Sequence, residues 1–378
     1  MLPPEITLAG LPLRPGLAGQ RPYGAPQFDV PVRLNVNENP YPPSAAIAQE
    51  MAEAVKRAAA SVNRYPDREA VGLRSKLARY LGHGLLFDQV WAANGSNEVM
   101  VQILQAFGGP GRRLLTFTPT YSMYPEYARD TYTELVSVPR RADYSLDLPA
   151  AWEALELFQP SVVIIANPNN PTGSSAPLPV IERLVKAAPG IVVVDEAYQE
   201  FSRQSADTAL KLLPKYGNLI VARTMSKAFA FAGGRVGYAA ANQAIVEALR
   251  IVRLPYHLSA VTQAVAGVAL DHAAEMLAQV DRLRQTRDET IARLRDLGCH
   301  VIDSDANFCL FGRFPDRHGV WQILLEQGVL VREVGPDGYL RVSTGSEQEM
   351  ERFLWVLGRI LGRDPAQAGR PDRSEGNR

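Results

Sequence analysis

The stretch SVVIIANPNNPTG, residues 161–173, decides the fold class of this chain. It opens with an unbroken apolar run and ends in Asn, Pro and Gly, which are residues that favour turns. The stretch IVVVDEAY, residues 191–198, repeats the pattern with an acidic end. Unbroken apolar runs of this length are typical of strands buried on both faces, as in a parallel sheet that helices cover.

The same pattern extends on both sides of these two runs. From about residue 90 to residue 240, short β-type runs such as LLTFTP and NLIVART alternate with helical patterns. This alternation predicts an α/β fold with a large, doubly wound and mostly parallel sheet. We assign this large domain to residues 44–255, with Ser44 as the N-cap of its first helix.

The alternation of short strand and helical patterns ends around Pro255. A long helical pattern covers roughly 259–297, and two strand–helix pieces follow it. In the second piece, Ser346 and Glu349 have the spacing of a capping box. These features predict a smaller α+β domain at residues 256–363.

The two ends of the chain differ from both domains. Residues 1–43 are rich in Pro and Gly and are predicted to form an extended N-terminal arm. Residues 364–378 lack large apolar side chains, so we expect a disordered tail there. The N-terminus has no basic start before an apolar core, and no apolar run approaches the roughly 18 residues of a membrane span. We therefore expect a cytoplasmic enzyme without a membrane partner.

Composition limits the remaining classes of function. Basic and acidic side chains balance, so the formal net charge is zero and no general field attracts nucleic acid. The two cysteines, Cys299 and Cys309, have no zinc-ligand spacing and are expected to be reduced, buried thiols. Neither a nucleic-acid partner nor a metal site is predicted.

Four of the predicted strands end in polar side chains that a plain fold does not require. In open α/β sheets, ligands bind outside the carboxyl ends of the strands, so these ends are expected to meet. Each has an ordinary alternative explanation: a turn, a helix N-terminus or a solvated lysine. Together they predict one binding site, formed by residues 94–97, 167–173, 195–198 and 224–227.

The chemistry of the last three strand ends matches the needs of pyridoxal phosphate. This cofactor is an electron sink whose strength depends on a protonated ring nitrogen, which the carboxylate of Asp195 would favour. Asn170 and Tyr198 are suitable partners for its phenolic oxygen. Lys227 would form a Schiff base with its aldehyde and, once freed by substrate, would move the substrate's Cα proton.

The cofactor phosphate needs donors, and the first strand end supplies them. Ser96 and Asn97 open a helical pattern whose backbone N–H groups would bind a dianion. Ser226 and Arg235 add a hydroxyl and a guanidinium, and Thr224 is a weaker candidate. A further residue, Tyr121 in TPTYSMY, is predicted either to stack on the pyridine ring or to be a half-buried tyrosine at a strand end.

As a set, these motifs resemble those of the fold-type I, aspartate-aminotransferase-like family of pyridoxal-phosphate enzymes. The matching residues are Asn170, Asp195, Tyr198, Lys227 and Arg235, and the similarity covers nearly the whole chain apart from the tail. Within the family, the chain is most similar to the histidinol-phosphate aminotransferase branch. The segments that indicate this branch are RPYGAPQFDVPVRLNVNENPYPP, NRYPD, GSNEV, TPTYSMY, NPNNPTG, VDEAYQEF, SKAFAFAGGRVGY and YLRVSTG.

The resemblance implies a reaction and a set of substrate residues. The reaction would convert L-histidinol phosphate and 2-oxoglutarate to imidazole-acetol phosphate and L-glutamate, in histidine biosynthesis. Arg341 matches the arginine that binds the anionic group of both substrates, and Arg332 is a second candidate. The alternative for each is an ordinary exposed arginine on a strand. Tyr23 would cap the substrate, and Asn307 would line the same region.

The resemblance also implies a homodimer with shared active sites. The tyrosine of the R-Y-P segment, Tyr65, would reach the cofactor phosphate of the neighbouring subunit; the alternative is a plain turn tyrosine before Pro66. Two positions depart from the family pattern. Asn97 stands where many relatives have aspartate, and His257 stands where asparagine is common. His257 would either fill space between the domains or lie near the substrate imidazole.

Three other functions fit parts of the same pattern. An aromatic amino-acid aminotransferase would use identical cofactor residues, because only pocket side chains separate its substrates. A decarboxylase or another lyase could also use this fold. A non-catalytic cofactor-binding protein is the third, and intact Lys227 and Asp195 argue against it.

Overall fold

The computed structural model describes residues 7–363 of the chain, and the tail predicted at 364–378 lies outside them. Among the described residues, none of the helices combines the length and apolar composition needed to cross a membrane. The α-helices are α1 (Ala45–Ala59), α2 (Val71–Leu81), α3 (Ser96–Phe107), α4 (Tyr124–Asp130), α5 (Leu148–Phe158), α6 (Leu178–Ala187), α7 (Gln243–Val252), α8 (Ala260–Asp271), α9 (Ala273–Asp296), α10 (Arg317–Glu326) and α11 (Glu347–Ile360).

The strands form three sheets. They are β1 (Val32–Arg33), β2 (Val90–Ala93), β3 (Arg113–Thr118), β4 (Glu134–Pro139), β5 (Val162–Ala166), β6 (Ile191–Asp195), β7 (Leu219–Thr224), β8 (Gly237–Ala241), β9 (His300–Val301), β10 (Phe308–Gly312), β11 (Val329–Leu330) and β12 (Tyr339–Ser343). Short 3-10 helices lie at Leu8–Gly10, Phe87–Gln89, Gln199–Phe201 and Ala209–Leu212.

The main sheet has seven strands in the order β2-β8-β7-β6-β5-β3-β4, and only β8 runs against the others. Along β5, Val163 and Ile165 join the core on one face, whereas Val162 and Ile164 join the core on the other. Both faces are therefore buried, which explains why β5 is apolar throughout and why β6 is apolar up to its last residue, Asp195. The predicted α/β class with a mostly parallel sheet is confirmed.

Local sequence signals mark several helix ends. The Ser44 hydroxyl accepts a hydrogen bond from the backbone N–H of Ile47, as expected of an N-cap. Ser346 and Glu349 form the predicted capping box at the start of α11. The single helical stretch expected at 259–297 is wrong in one respect, because the chain breaks at His272 between α8 and α9.

The smaller unit combines the antiparallel sheet β12-β10-β9 with the parallel pair of β1 and β11. The arm therefore contributes a strand to this unit. At the other predicted boundary, Leu258 and Ala266 lie in the same core as the main sheet. The domain bounds remain a proposal, and this packing leads us to count α8 with the large unit.

A buried ion pair ties the ends of β6 and β7 together beneath the carboxyl edge of the sheet. The guanidinium of Arg223 contacts the Glu196 carboxylate at 2.7 Å and the Glu200 carboxylate at 3.3 Å. Glu196 also accepts hydrogen bonds from the hydroxyl of Thr208 and the backbone N–H of Ala209. Burial lowers the pKa of Arg223, but the two carboxylates outweigh it, so the pKa lies above its usual value.

Replacing Arg223 with Met should destabilise the fold strongly, because Glu196 would stay buried without a charge partner. We expect the free energy of unfolding, measured with urea, to fall by about 3–5 kcal/mol. The control is Arg295→Met, which removes an exposed ion pair with Asp303 and should cost less than about 1 kcal/mol. Equal losses in the two variants would contradict a structural role for the buried pair.

Candidate active site

A cavity of about 430 Å³ lies at the carboxyl edge of the main sheet, where the smaller unit and the arm close over it. The structure brings most of the sequence-predicted site residues to its wall. These are Tyr23, Ser96, Asn97, Tyr121, Asn170, Asp195, Tyr198, Thr224, Ser226, Lys227, Arg235, Arg332 and Arg341.

Asp195 is the last residue of β6 and is buried at the floor of the cavity. Its Oδ2 accepts a hydrogen bond from the hydroxyl of Tyr124 at 2.8 Å, and its Oδ1 accepts one from the backbone N–H of Ala197 at 3.2 Å. Burial nevertheless raises the pKa of this carboxyl to about 6. A cationic group facing Asp195 would restore its charged form, as a protonated ring nitrogen would.

Lys227 follows β7 and lies in the cavity wall, where its amine contacts the backbone of the arm. Its Nζ donates a hydrogen bond to the carbonyl of Val36 at 2.9 Å. Burial, followed by the positive charges of Arg341 and Arg235, lowers the pKa of the amine to about 8. Roughly a tenth of the amine is therefore neutral at pH 7, and a neutral amine is the form that attacks an aldehyde.

The phenol of Tyr198 lies beside the amide of Asn170 in the same wall. The Nδ2 of Asn170 donates to the phenol oxygen at 3.4 Å, and its Oδ1 accepts from Nη1 of Arg341 at 2.6 Å. Burial raises the pKa of the phenol, so Tyr198 is a neutral hydroxyl at physiological pH. Amide and phenol together suit a phenolate oxygen of a ligand.

An anion cradle is formed by the start of α3, the end of β7 and the guanidinium of Arg235. The Thr224 hydroxyl donates to the Ser226 hydroxyl at 3.0 Å, and the Ser226 N–H donates to Thr224 at 3.1 Å. A Cβ at Gly95 would lie 2.4 Å from a guanidinium nitrogen of Arg235, so this side chain packs directly on the Gly95 backbone. Arg235 itself takes a left-handed backbone conformation, with φ +54°.

These groups fit pyridoxal phosphate. The cradle offers backbone N–H groups of a helix N-terminus, hydroxyls and a guanidinium to a phosphate. Asp195 faces the same cavity as the amine of Lys227, as the ring nitrogen and the aldehyde require. The Oγ1 of Thr120, also in the wall, is buried and has no hydrogen-bond partner among residues 7–363.

The opposite end of the cavity carries two arginines from the smaller unit. Arg341 on β12 donates to the carbonyl of Asn35 at 2.9 Å, and no residue in the described part of the chain accepts from its Nε. Burial lowers the pKa of this guanidinium. Arg332, which pairs with Arg341 through the backbone, donates to the carbonyl of Gly24 in the arm. Both side chains are placed to receive an anionic group.

The two predicted tyrosines of the wall also have defined contacts. The Tyr23 hydroxyl lies 2.7 Å from the hydroxyl of Ser122, which holds the arm against the cavity mouth. The ring of Tyr121 meets Tyr124 edge-on at 5.7 Å. Whether Tyr121 stacks on a cofactor ring stays a prediction.

Three residues singled out in the sequence lie outside the cavity wall. Tyr65 is 79% exposed and stacks on Tyr256 at 4.3 Å. Asn307 lies just behind the wall, where its Nδ2 donates to the carbonyl of Asn37. His257 stacks on Trp91 and bonds to the carbonyl of Ala92, which fits a packing role within the large unit.

Sequence reasoning missed Tyr124, Asn37 and the carbonyl of Val36. Tyr124 lies in the TPTYSMY segment, and Asn37 lies in the NVNENP segment, so both were near recognised motifs. Neither motif shows which side chain turns inward. A backbone carbonyl such as that of Val36 leaves no residue-type signal at all.

Lys227 and Asp195 share one cavity with the anion cradle, at the carboxyl edge of a mostly parallel sheet. This fold and this site together define the class of fold-type I pyridoxal-phosphate enzymes. Comparisons with known proteins agree. The family model for aminotransferase class I and II matches residues 30–357. The chain belongs to this family.

Two curated relatives are 58% identical to the chain. One is a histidinol-phosphate aminotransferase of Thermobifida fusca, where the match covers 95% of this chain and 98% of the relative. The other is histidinol-phosphate aminotransferase 3 of Burkholderia lata, with 93% and 96% covered.

A solved structure shows the same fold at lower sequence similarity. It is the histidinol-phosphate aminotransferase of Sinorhizobium meliloti in complex with pyridoxal-5'-phosphate. It is 24% identical, with a TM-score of 0.79, and the match covers 88% of this chain and 91% of that chain.

Replacing Gly237 with Ala should weaken cofactor binding, because the new Cβ would lie 2.1 Å from the backbone nitrogen of Ser96 and push the cradle outward. We expect the Kd for pyridoxal phosphate, measured by titration of the apoprotein, to rise about tenfold or more. The control is Gly217→Ala, where a Cβ has nothing within 4 Å. An unchanged Kd for Gly237→Ala would mean that the backbone at Ser96 does not hold the phosphate.

Proposed function

We propose that this protein is a pyridoxal-phosphate-dependent aminotransferase of histidine biosynthesis. It would convert L-histidinol phosphate and 2-oxoglutarate to imidazole-acetol phosphate and L-glutamate. The observation that carries the proposal is the placement of Lys227, Asp195 and the anion cradle around one cavity. The 58% identity to two histidinol-phosphate aminotransferases over nearly the full length supports the particular substrate.

The residues of the cavity divide the work of holding the cofactor. The cradle of Ser96, Ser226 and Arg235 would bind the phosphate, and Asp195 would keep the ring nitrogen protonated. Tyr198 and Asn170 would hold the phenolic oxygen. When bound, pyridoxal phosphate supplies an electron sink that stabilises negative charge at the substrate's Cα.

Lys227 is the residue best placed to move protons. Its lowered pKa leaves part of the amine neutral, so it can accept the Cα proton as a general base and return it as a general acid. Its contact with the carbonyl of Val36 keeps the amine at the cavity wall. A solvated lysine would be almost entirely protonated at neutral pH, and a protonated amine cannot accept the proton.

The substrate end of the cavity suits two different anions. Glutamate and 2-oxoglutarate bring carboxylates, whereas histidinol phosphate brings a phosphate, and a planar guanidinium binds either with paired hydrogen bonds. Arg341 is held in place by hydrogen bonds from Nη1 to Oδ1 of Asn170 and from Nη2 to the carbonyl of Asn35. Its Nε has no acceptor within residues 7–363 and is available to a ligand. We propose that Arg341 binds the anion of both substrates, with Arg332 beside it and Tyr23 closing the mouth.

Half-reactions test this function directly. Spectral titration of the bound cofactor should show conversion by L-histidinol phosphate much faster than by L-phenylalanine, and Lys227→Ala should abolish turnover.

Arg341→Ala should lower the second-order rate constant of the half-reaction by about 100-fold with both histidinol phosphate and glutamate, since a charge-assisted pair is lost. Arg359→Ala, which changes an arginine outside the cavity wall, is the control.

The outcomes separate the rival functions. Faster conversion by phenylalanine would indicate an aromatic aminotransferase, and release of carbon dioxide would indicate a decarboxylase. An effect of Arg341→Ala on only one substrate would contradict a shared anion site.

We further propose that the chain forms a cytoplasmic homodimer in which Tyr65 of one subunit reaches the cofactor phosphate of the other. An exposed apolar group supports this assembly: Tyr65 stacks on Tyr256, and Leu254 and Ile251 are also strongly exposed. Contiguous exposed apolar surface is typical of a protein interface. Tyr65 lies outside the cavity wall of its own chain, as a residue given to a partner would.

Subunit complementation tests this sharing. Tyr65→Ala and Lys227→Ala should each be nearly inactive alone. Mixed one to one, they should recover about a quarter of the wild-type activity, because half of the dimers are hybrids with one intact site. No recovery, in a mixture shown by sedimentation to contain dimers, would place Tyr65 in its own subunit's site or in none.

A further inference from the structure

Two buried amides surround the hydroxyl oxygen of Tyr198. It accepts a hydrogen bond from Nδ2 of Asn37 at 3.0 Å and another from Nδ2 of Asn170 at 3.4 Å. A phenol has one O–H donor and a limited capacity to accept. With N–H groups on two sides of the oxygen, the O–H is left to point elsewhere, and the phenol lines the cavity.

The orientation of the Asn37 amide follows from its contacts with Ser343. The backbone N–H of Asn37 donates to the Ser343 hydroxyl at 2.8 Å, so that hydroxyl uses its proton to donate to Oδ1 of Asn37 at 3.0 Å. An amide whose oxygen accepts from Ser343 presents its NH₂ group to Tyr198. All three side chains are buried, so water does not compete for these bonds.

The backbone of Asn37 is also held in place. Asn307 donates to its carbonyl at 3.1 Å, and its φ of +56° lies in the left-handed region that asparagine tolerates better than most residues. Asparagine at position 37 therefore has two roles: it tolerates the positive φ, and its side-chain amide contacts Tyr198.

We propose that Asn37 and Ser343 are positioning residues that turn the Tyr198 hydroxyl into a donor aimed at the phenolic oxygen of the cofactor. The inference rests on the proposed function, because it takes pyridoxal phosphate as the acceptor. A donor aimed at this oxygen favours its anionic form and so lowers the pKa of the imine that the cofactor forms with Lys227.

The smaller unit controls this donor through a single strand. Ser343 and Arg341 are alternate residues of β12 and share one face of it. Ser343 orients the amide of Asn37, and Arg341 orients the amide of Asn170 through its contact with Oδ1. Burial raises the pKa of Tyr198, and the positive charge of Arg341, followed by donation from Asn37 and Asn170, acts against that shift. The phenol is thus a better donor than burial alone would make it.

The test is a pH titration of the imine absorbance in the substrate-free holoenzyme. Asn37→Gly deletes the amide without backbone strain, because glycine adopts a positive φ freely. We expect the imine pKa to rise by about 0.4–1 unit, the worth of one neutral hydrogen bond. Asn37→Asp should raise it further, since a carboxylate accepts the phenol proton and turns it away from the cavity. Ser343→Ala should give a smaller rise.

The matched control is Asn218→Ala, which removes a half-buried amide that donates to the carbonyls of Val185 and Gly190, outside the cavity wall. Its imine pKa should equal that of the wild type. Folded, cofactor-loaded variants at Asn37 with wild-type titrations would overturn the inference, and if those variants fail to fold, an unshifted Ser343→Ala overturns it equally. A wild-type chain without imine absorbance would instead overturn the proposed function.

Discussion

Burial acts in opposite directions on the two ionisable groups that the proposed chemistry needs. Loss of water raises the pKa of Asp195 to about 6 and lowers the pKa of Lys227 to about 8. Within residues 7–363, the hydrogen-bond partners of both groups are uncharged: the Tyr124 hydroxyl and the Ala197 N–H for Asp195, and the Val36 carbonyl for Lys227. Their protonation therefore depends on the charges of a ligand that enters the cavity. Pyridoxal phosphate would bring charges of both signs, a cationic ring and an anionic phosphate.

Burying Asp195 and Lys227 requires segments that are far apart in the sequence. The main sheet provides Asp195 and Lys227 from neighbouring strands, and the buried pair of Arg223 and Glu196 holds those strand ends together. The arm covers the cavity, and its Val36 carbonyl accepts a hydrogen bond from the amine of Lys227. The smaller unit adds Arg341 through β12. Each part supplies a wall as well as a chemical group, so loss of one part would increase the solvent exposure of the groups on the others.

Sequence patterns predicted the strands, the parallel sheet and most of the wall of the cavity, because buried strands and their polar ends have a local signature. They missed the break at His272, since the helical pattern continues through it without a proline or glycine. They also missed Tyr124, which lies in the same TPTYSMY segment as Tyr121, because the sequence does not show which of the two rings turns toward Asp195. The bounds of the two domains depend on packing across the whole chain and have no such local signature.

By itself, the sequence determined which chemical groups stand at the strand ends: an amine, a carboxylate, a phenol, amides and guanidinium groups. The tertiary structure decided their protonation and orientation. Asn37 and Ser343 lie 306 positions apart and still share two hydrogen bonds that set the direction of the Tyr198 phenol. The physical reason is that a pKa depends on the water removed and the partners supplied. Both come from segments that meet only when the chain is folded.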